Sequence, residues 1–309
     1  MNNRITSLVL FLFLSFSLQA KVLIFTYAFN RPDFIEYQYK TFNHFIRDEY
    51  EFVVFNDANN NDMAHRIEEM CRKYSIKHVR IPQYIHDKPY LFRLPRESYH
   101  APAVRNANVV MYSLDIMGFN HDDILVLLDS DIFITKPVSF RNLLSDCDIF
   151  GLPQSKKDEH LVEYLWIGFC CLNMKNLPNI HTLNFNCGEV AGLRVDAGGY
   201  TYYYLKNNPS VKVKWTNHFY PHLIACDLCS SKGINDCEHR IDMFYNCKFD
   251  LKKHQVDFMV NIKDVEFFND LTFLHYRCGS NWNNQTTEFI AKKTNELNTF
   301  IQKLLDSDN

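Results

Sequence analysis

The chain has 309 residues, 47% of them apolar, 15% aromatic and 22% charged. This composition supports a sizeable core and excludes a disordered chain, and 9 Gly are too few for a glycine-rich repeat. Lys plus Arg number 33 against 36 Asp plus Glu, a net charge of −3, so the basic surplus that a nucleic-acid partner would require is missing.

Residues 5–20 read ITSLVLFLFLSFSLQA, between Arg4 and Lys21. The run is short for a bilayer span. It fits a secretory signal peptide over residues 1–20, with Leu18-Gln19-Ala20 as the cleavage site. An uncleaved signal anchor is the competing reading. Either one implies the secretory pathway or export, and limits membrane contact to this segment. Residues 21–309 read as a single domain.

A continuous apolar run at 22–27 predicts a strand buried on both faces. Asn30-Arg31-Pro32-Asp33 predicts a helix start, with Asn30 as cap and Pro32 in the first turn. Strands follow at 51–55 and 78–81, with a helix over 63–74 between them. Another helix carries Ala103, Ala107, Val110, Met111 and Leu114 and stops at Gly118. ILVLL at 124–128 is the strongest central-strand signal. Beyond residue 145 the pattern loosens: strands at 148–152, 166–172 and 211–215, a short helix at 200–205, a strand at 271–274, and a closing amphipathic helix through Phe289, Leu297, Phe300 and Leu304. Alternating strands and helices predict an α/β fold with a mostly parallel, Rossmann-like sheet flanked by helices. Ligands of such sheets bind beyond the carboxyl ends of the strands.

Ten cysteines are present. Cys226, Cys229, Cys237 and Cys247 cluster with irregular spacing, which suits either local disulfides in an exported chain or a zinc site. Asn284-Gln285-Thr286 is a glycosylation sequon.

The sharpest chemical feature is Leu128-Asp129-Ser130-Asp131-Ile132. Two carboxylates two residues apart at the end of an apolar strand repel unless a cation lies between them. A hard divalent ion such as Mn²⁺ or Mg²⁺ matches their oxygens. The alternative is an ordinary strand-to-turn junction with solvated acids. A second feature is Phe273-Leu274-His275-Tyr276-Arg277-Cys278-Gly279-Ser280-Asn281-Trp282. Here a strand would deliver an imidazole, a good ligand for Mn²⁺-like ions, to the sheet edge. Gly279 would let backbone approach a phosphate.

ILVLLDSDIFI resembles the Asp-x-Asp signature of GT-A glycosyltransferases, nearest to the glycogenin-like and lipopolysaccharide galactosyltransferase-like group. The second segment is similar to that group's late His-x-x-Gly-x-x-x-Trp motif, with Ser280-Asn281 where the group has Lys-Pro. The likeness covers residues 22–282 in pattern. It implies a transferase that moves a sugar from a nucleoside-diphosphate donor to an acceptor hydroxyl on a glycan, lipid or protein. Asp129, Asp131 and His275 would hold Mn²⁺ or Mg²⁺. Arg277 and Gly279 would contact the diphosphate, Arg277 standing in for the missing Lys. Thr26, Tyr27 and Asn30 would flank the nucleoside, Asp57 would contact base or ribose, and His100 or Arg105 would face sugar or phosphate. Asp57, His100 and Arg105 also suit ordinary loop caps and helix starts. Asp196, in Asp196-Ala197-Gly198-Gly199, is either a helix cap or a catalytic base near the acceptor hydroxyl. The other readings are an exported carbohydrate-binding protein that keeps the fold without turnover, and a metal-dependent phosphohydrolase.

Overall fold

The computed structural model describes residues 21–87, 101–158, 160–219, 265–277, 279 and 286–306. In chain order the elements are β1 (Val22–Ala28), α1 (Pro32–Phe45), β2 (Tyr50–Asn56), α2 (Asn61–Lys73), β3 (Lys77–Arg80), α3 (Tyr84–Asp87), α4 (Pro102–Ile116), β4 (Ile124–Asp129), β5 (Ile132–Ile134) and α5 (Phe140–Leu143). They continue with β6 (Ile149–Lys157), β7 (Leu161–Asn173), β8 (Gly188–Val190), β9 (Leu193–Val195), α6 (Thr201–Asn207), β10 (Val213–Trp215), β11 (His218–Phe219), β12 (Val265–Phe268), β13 (Phe273–Tyr276) and α7 (Thr287–Asp306). Among the described residues no helix is long and apolar enough to cross a membrane.

Seven strands form the main sheet in the order β10-β6-β7-β4-β1-β2-β3. β1 runs parallel to β2 and β4, and only β7 opposes its neighbours. β1 is buried at every residue because its two faces feed two cores. Val22, Ile24 and Ala28 meet Phe34, Ile35 and Phe42 of α1, while Leu23, Phe25 and Tyr27 lie with Val110 and Leu114 of α4. Helices therefore cover both faces, as the strand–helix alternation predicts. Leu297, Phe300, Ile301 and Leu304 of α7 add to the α1 side.

A second sheet, β11-β12-β13-β5, is antiparallel throughout. The chain passes from the first sheet to the second at Ser130-Asp131, between β4 and β5.

Several boundaries differ from the sequence reading. Asn30 does not cap α1: the residue before the helix is Arg31, and no side chain bonds the free backbone there. Asn30 instead takes a left-handed φ of 55°, and its Oδ1 accepts from Asn59 N–H at 3.2 Å. α2 starts earlier than expected because Asn60 caps it, accepting from Met63 N–H at 2.9 Å. β6 and β7 are longer than their apolar cores suggest, since polar residues such as Gln154 to Lys157 continue the pairing at the exposed end. β13 starts at Phe273 because Asn269, Asp270 and Leu271 all take left-handed φ values and make the turn after β12. Asp196 does not open α6. That helix begins at Thr201, and residues 196–199 form a turn closed by Gly199 N–H to Asp196 O at 2.9 Å.

Gly198 holds this turn against β7. Its φ is +94°, and a Cβ there would strike the Leu165 carbonyl oxygen. Gly192, at φ +78°, has nothing near its missing Cβ. Gly198→Ala is therefore expected to destabilise the fold by more than the cost of a left-handed Ala alone, which is about 1–3 kcal/mol. Gly192→Ala should show only that backbone cost. Urea denaturation of both variants checks this, and equal losses would contradict it.

Candidate active site

The carboxyl ends of β1, β2 and β4 finish level, with Tyr27 opposite Asp129 and Ala28 opposite Asn56. A cavity of about 400 Å³ lies above them. Tyr27, Phe29, Asp57, Arg105, Asn106, Asp129, Ser130, Asp131, Trp166 and Asp196 line it.

Asp129 ends β4 and Asp131 precedes β5. One buried side chain fixes the turn between them: Gln38 of α1 donates from Nε2 to the Asp129 carbonyl at 2.9 Å and to the Ile132 carbonyl at 3.1 Å. The Asp131 carbonyl accepts from Tyr276 N–H at 2.8 Å, which ties the turn to β13 as well. Asp131 is 7% exposed and Asp129 half-buried, so these are not the solvated acids of an ordinary turn. Burial raises both carboxyl pKa values, and for Asp129 the neighbouring Asp131 raises it further. His275 opposes the rise at both, and Asn106 Nδ2, 3.4 Å from Asp129 Oδ1, opposes it at Asp129.

His275 lies on β13 opposite Ile132. Its Nε2 is 3.6 Å from Asp131 Oδ1, and its Nδ1 is 2.9 Å from Glu266 Oε2. Glu266 Oε1 is in turn 2.6 Å from Nδ1 of His218. Burial would raise the Glu266 pKa, but His218 and His275 together hold it down to about 2. For His275 burial alone would lower the pKa, and Asp131, Glu266 and Asp129 outweigh it to give a net rise. The sequence reading missed both Gln38 and Glu266. The only signal for Glu266 was one acid inside the apolar stretch VEFF.

Among the described residues no group of three His, Cys, Asp or Glu side chains is placed to hold a metal ion. The Asp131–His275 gap is nevertheless too wide for a hydrogen bond. Two ligands bound at about 2.1 Å to one ion can stand up to about 4 Å apart, so this pair suits a shared cation. The donors are two carboxylates and one imidazole, a set that suits Mn²⁺ or Mg²⁺ with further oxygens from substrate and water.

The remaining expected residues divide. Asp57 and Arg105 do reach the cavity, but they bind each other. Arg105 donates from Nε to Asp57 Oδ2 at 2.6 Å and from Nη2 to Oδ1 at 2.8 Å. His86 Nε2 lies 2.9 Å from the same carboxylate, and Gln83 donates to it at 3.2 Å. The Arg105 guanidinium also sits 4.9 Å from the Phe29 ring centre. Tyr27 lines the cavity while its hydroxyl is 3.0 Å from Ser113 Oγ and its ring stacks on Phe55. Burial is the main reason its phenol pKa is raised. Thr26 alternates to the opposite face of β1, and neither it nor Asn30 lines the cavity. Arg277 is exposed just past β13 and is not on the cavity wall.

Gly279 is buried against α1, where a Cβ would stand 2.7 Å from Phe34 Cε2. Its bareness is therefore used for packing, and its carbonyl accepts from Arg31 Nη1 at 2.7 Å. The Gly279 backbone also favours the ionised form of Asp131. Asp196 is exposed on the cavity wall, with Oδ1 accepting from Ala197 N–H at 2.8 Å. His100, residues 1–20, the sequon at Asn284 and the cluster Cys226, Cys229, Cys237 and Cys247 lie outside the described residues. Cys71, Cys147, Cys170, Cys171 and Cys187 are buried free thiols.

No family model matches the sequence, and no curated protein matches it. Solved structures to which the chain is similar include the mannosyltransferase Ktr4p from S. cerevisiae, at 10% identity over 50% of this chain and 56% of that one, TM-score 0.37. WbbM, a bifunctional glycosyltransferase, matches at 11% identity over 64% of this chain and 39% of its own, TM-score 0.39. The glucosyl-3-phosphoglycerate synthase of Mycobacterium tuberculosis, in a complex with Mn²⁺ and UDP, matches at 15% over 71% and 82%, TM-score 0.37. The chain thus spans 56% of the length of Ktr4p and 39% of WbbM.

The Asp57–Arg105 pair is nearly buried, with side chains 6% and 17% exposed. Asp57→Ala is expected to cost about 3–5 kcal/mol, because it leaves a guanidinium unpaired in the cavity wall. Adding Arg105→Met should recover most of that loss in a chemical denaturation series. A single-variant loss under about 1 kcal/mol, the range of an exposed pair, would contradict this account.

Proposed function

We propose that this chain is a metal-dependent glycosyltransferase, which moves a sugar from a nucleoside-diphosphate donor to an acceptor hydroxyl. One observation carries the reading. Asp129 and Asp131 share a cavity at the carboxyl edge of the sheet, and Nε2 of His275 stands 3.6 Å from Asp131. Asp129, Asp131 and His275 would hold Mn²⁺ or Mg²⁺, and such an ion would neutralise the diphosphate leaving group.

The chain's own residues supply position and charge. Gln38 and the Tyr276 backbone fix the turn that presents both carboxylates. Tyr27, Phe29 and the Asp57–Arg105 pair form one wall of the cavity, on the side where the β1 and β2 ends would meet the nucleoside. Trp166 and Asp196 form the opposite, β7 side. Asp196 is exposed there, and from that position its carboxylate would accept the proton of the acceptor hydroxyl if the reaction inverts the anomeric centre. Catalysis would rest mainly on charge neutralisation and orientation. On sequence grounds alone, residues 1–20 assign the chain to the secretory pathway or export.

A nucleotide-sugar panel with and without Mn²⁺ tests the reading by binding and slow donor hydrolysis. One donor should be hydrolysed only with metal, and Asp131→Asn should abolish this. Absence of binding to every donor, with the fold intact, would overturn the reading and favour a non-catalytic carbohydrate-binding protein. The raised carboxyl pKa values add a pH dependence. Protons held on Asp129 and Asp131 compete with the cation, so affinity falls as pH is lowered. The rise in melting temperature on adding Mn²⁺ should be larger at about pH 8 than at about pH 5.5. The reverse order would contradict carboxylate ligation.

A further inference from the structure

We propose that Glu266 is the positioning residue of this site: it fixes the His275 ring so that Nε2, and not Nδ1, faces Asp131. The proposal rests on the reading of His275 as a ligand only for its metal arm. The orientation itself follows from hydrogen bonds on the chain.

β12 and β13 pair so that Glu266 stands directly across from His275. Cross-strand partners project to the same face, close enough to touch. All four residues of β12 are buried, and Glu266 is 4% exposed. A carboxylate so placed needs partners for both oxygens. It has two: Oε2 lies 2.9 Å from His275 Nδ1, and Oε1 lies 2.6 Å from His218 Nδ1. An ionised carboxylate only accepts, so the bond to His275 requires a proton on Nδ1. In a neutral ring the lone pair is then on Nε2, the atom 3.6 Å from Asp131 Oδ1. The Trp166 ring, 5.0 Å from the imidazole between centroids, packs beside it. Nothing in the main sheet supplies this restraint. Glu266 reaches the site only because the second sheet joins β12, β13 and β5 in register.

His218 has a separate part. By occupying Oε1 it leaves a single carboxylate oxygen for His275, so the acid cannot swing between two acceptor geometries. A carboxylate behind a ligating histidine fixes its tautomer, and removing such a partner typically weakens metal binding by about 10- to 100-fold.

The test is ¹⁵N NMR of the His275 imidazole at a pH where the ring is neutral, together with Mn²⁺ binding followed by EPR with the metal alone. The wild-type chain should carry the proton on Nδ1. Glu266→Gln should populate the Nε2–H tautomer and weaken Mn²⁺ binding about 10- to 100-fold. Glu266→Asp, which keeps the charge, should restore part of both. A folded Glu266→Gln with unchanged tautomer and unchanged Mn²⁺ affinity would overturn the proposal, because a purely structural ion pair would lower only the melting temperature. If Glu266→Gln does not fold, His218→Gln is read the same way. It should give a smaller shift of both readouts, and no shift would overturn the proposal. If the wild-type chain binds no Mn²⁺, the metal reading fails, while the tautomer comparison still decides the role of Glu266.

Discussion

Asp129 and Asp131 repel each other in a partly desolvated cleft, and much of the surrounding structure answers that repulsion. Burial raises both pKa values, which means that the folded chain holds the doubly ionised pair at a cost. The compensation comes from several elements. His275 arrives on β13, Asn106 on α4, and the Gly279 backbone just past β13, its carbonyl bonded by Arg31. The main sheet and α4 alone would supply only Asp129 and Asn106. The second sheet is what brings imidazole and Glu266 to the same place.

The join between the two sheets is therefore functional as well as architectural. The chain leaves β4 and enters β5 within a few residues, and both acids sit on that crossing. Gln38 holds the crossing from α1 with two hydrogen bonds to backbone, so the spacing of the carboxylates is set by packing. On the far wall the Asp57 carboxylate is already paired with Arg105 and bonded by His86 and Gln83. It gives the cavity a charge-paired side opposite an acidic one that His275 and Asn106 offset only in part. That asymmetry is what a cation shared with an anionic substrate would use.

β1 and β4 were legible because burial on both faces leaves an unbroken apolar run, whereas β5, β11 and β12 of the second sheet were not foreseen. The acidic pair was legible because it interrupts such a run. The boundaries set by side-chain capping and left-handed turns were not: α2 starts at Asn61, behind its Asn60 cap, rather than at Met63, and three consecutive left-handed residues delay β13. Asp57 and Arg105 looked like separate ligand contacts because sequence distance hides their pairing across 48 positions. The packing of Gly279 against Phe34, which its missing side chain allows, was likewise hidden by sequence distance. Gln38 carried no signal and Glu266 only its lone acid within VEFF, because each acts through a tertiary contact with no local periodicity.

The central claim is that the acids and His275 share one cation. Anomalous scattering at the manganese edge, from crystals soaked with Mn²⁺ and a nucleoside diphosphate, tests it most directly. The account requires a single strong peak between Asp131 and His275, lost in Asp131→Asn crystals. A peak elsewhere in the cavity, or no peak with the nucleotide bound, would contradict it.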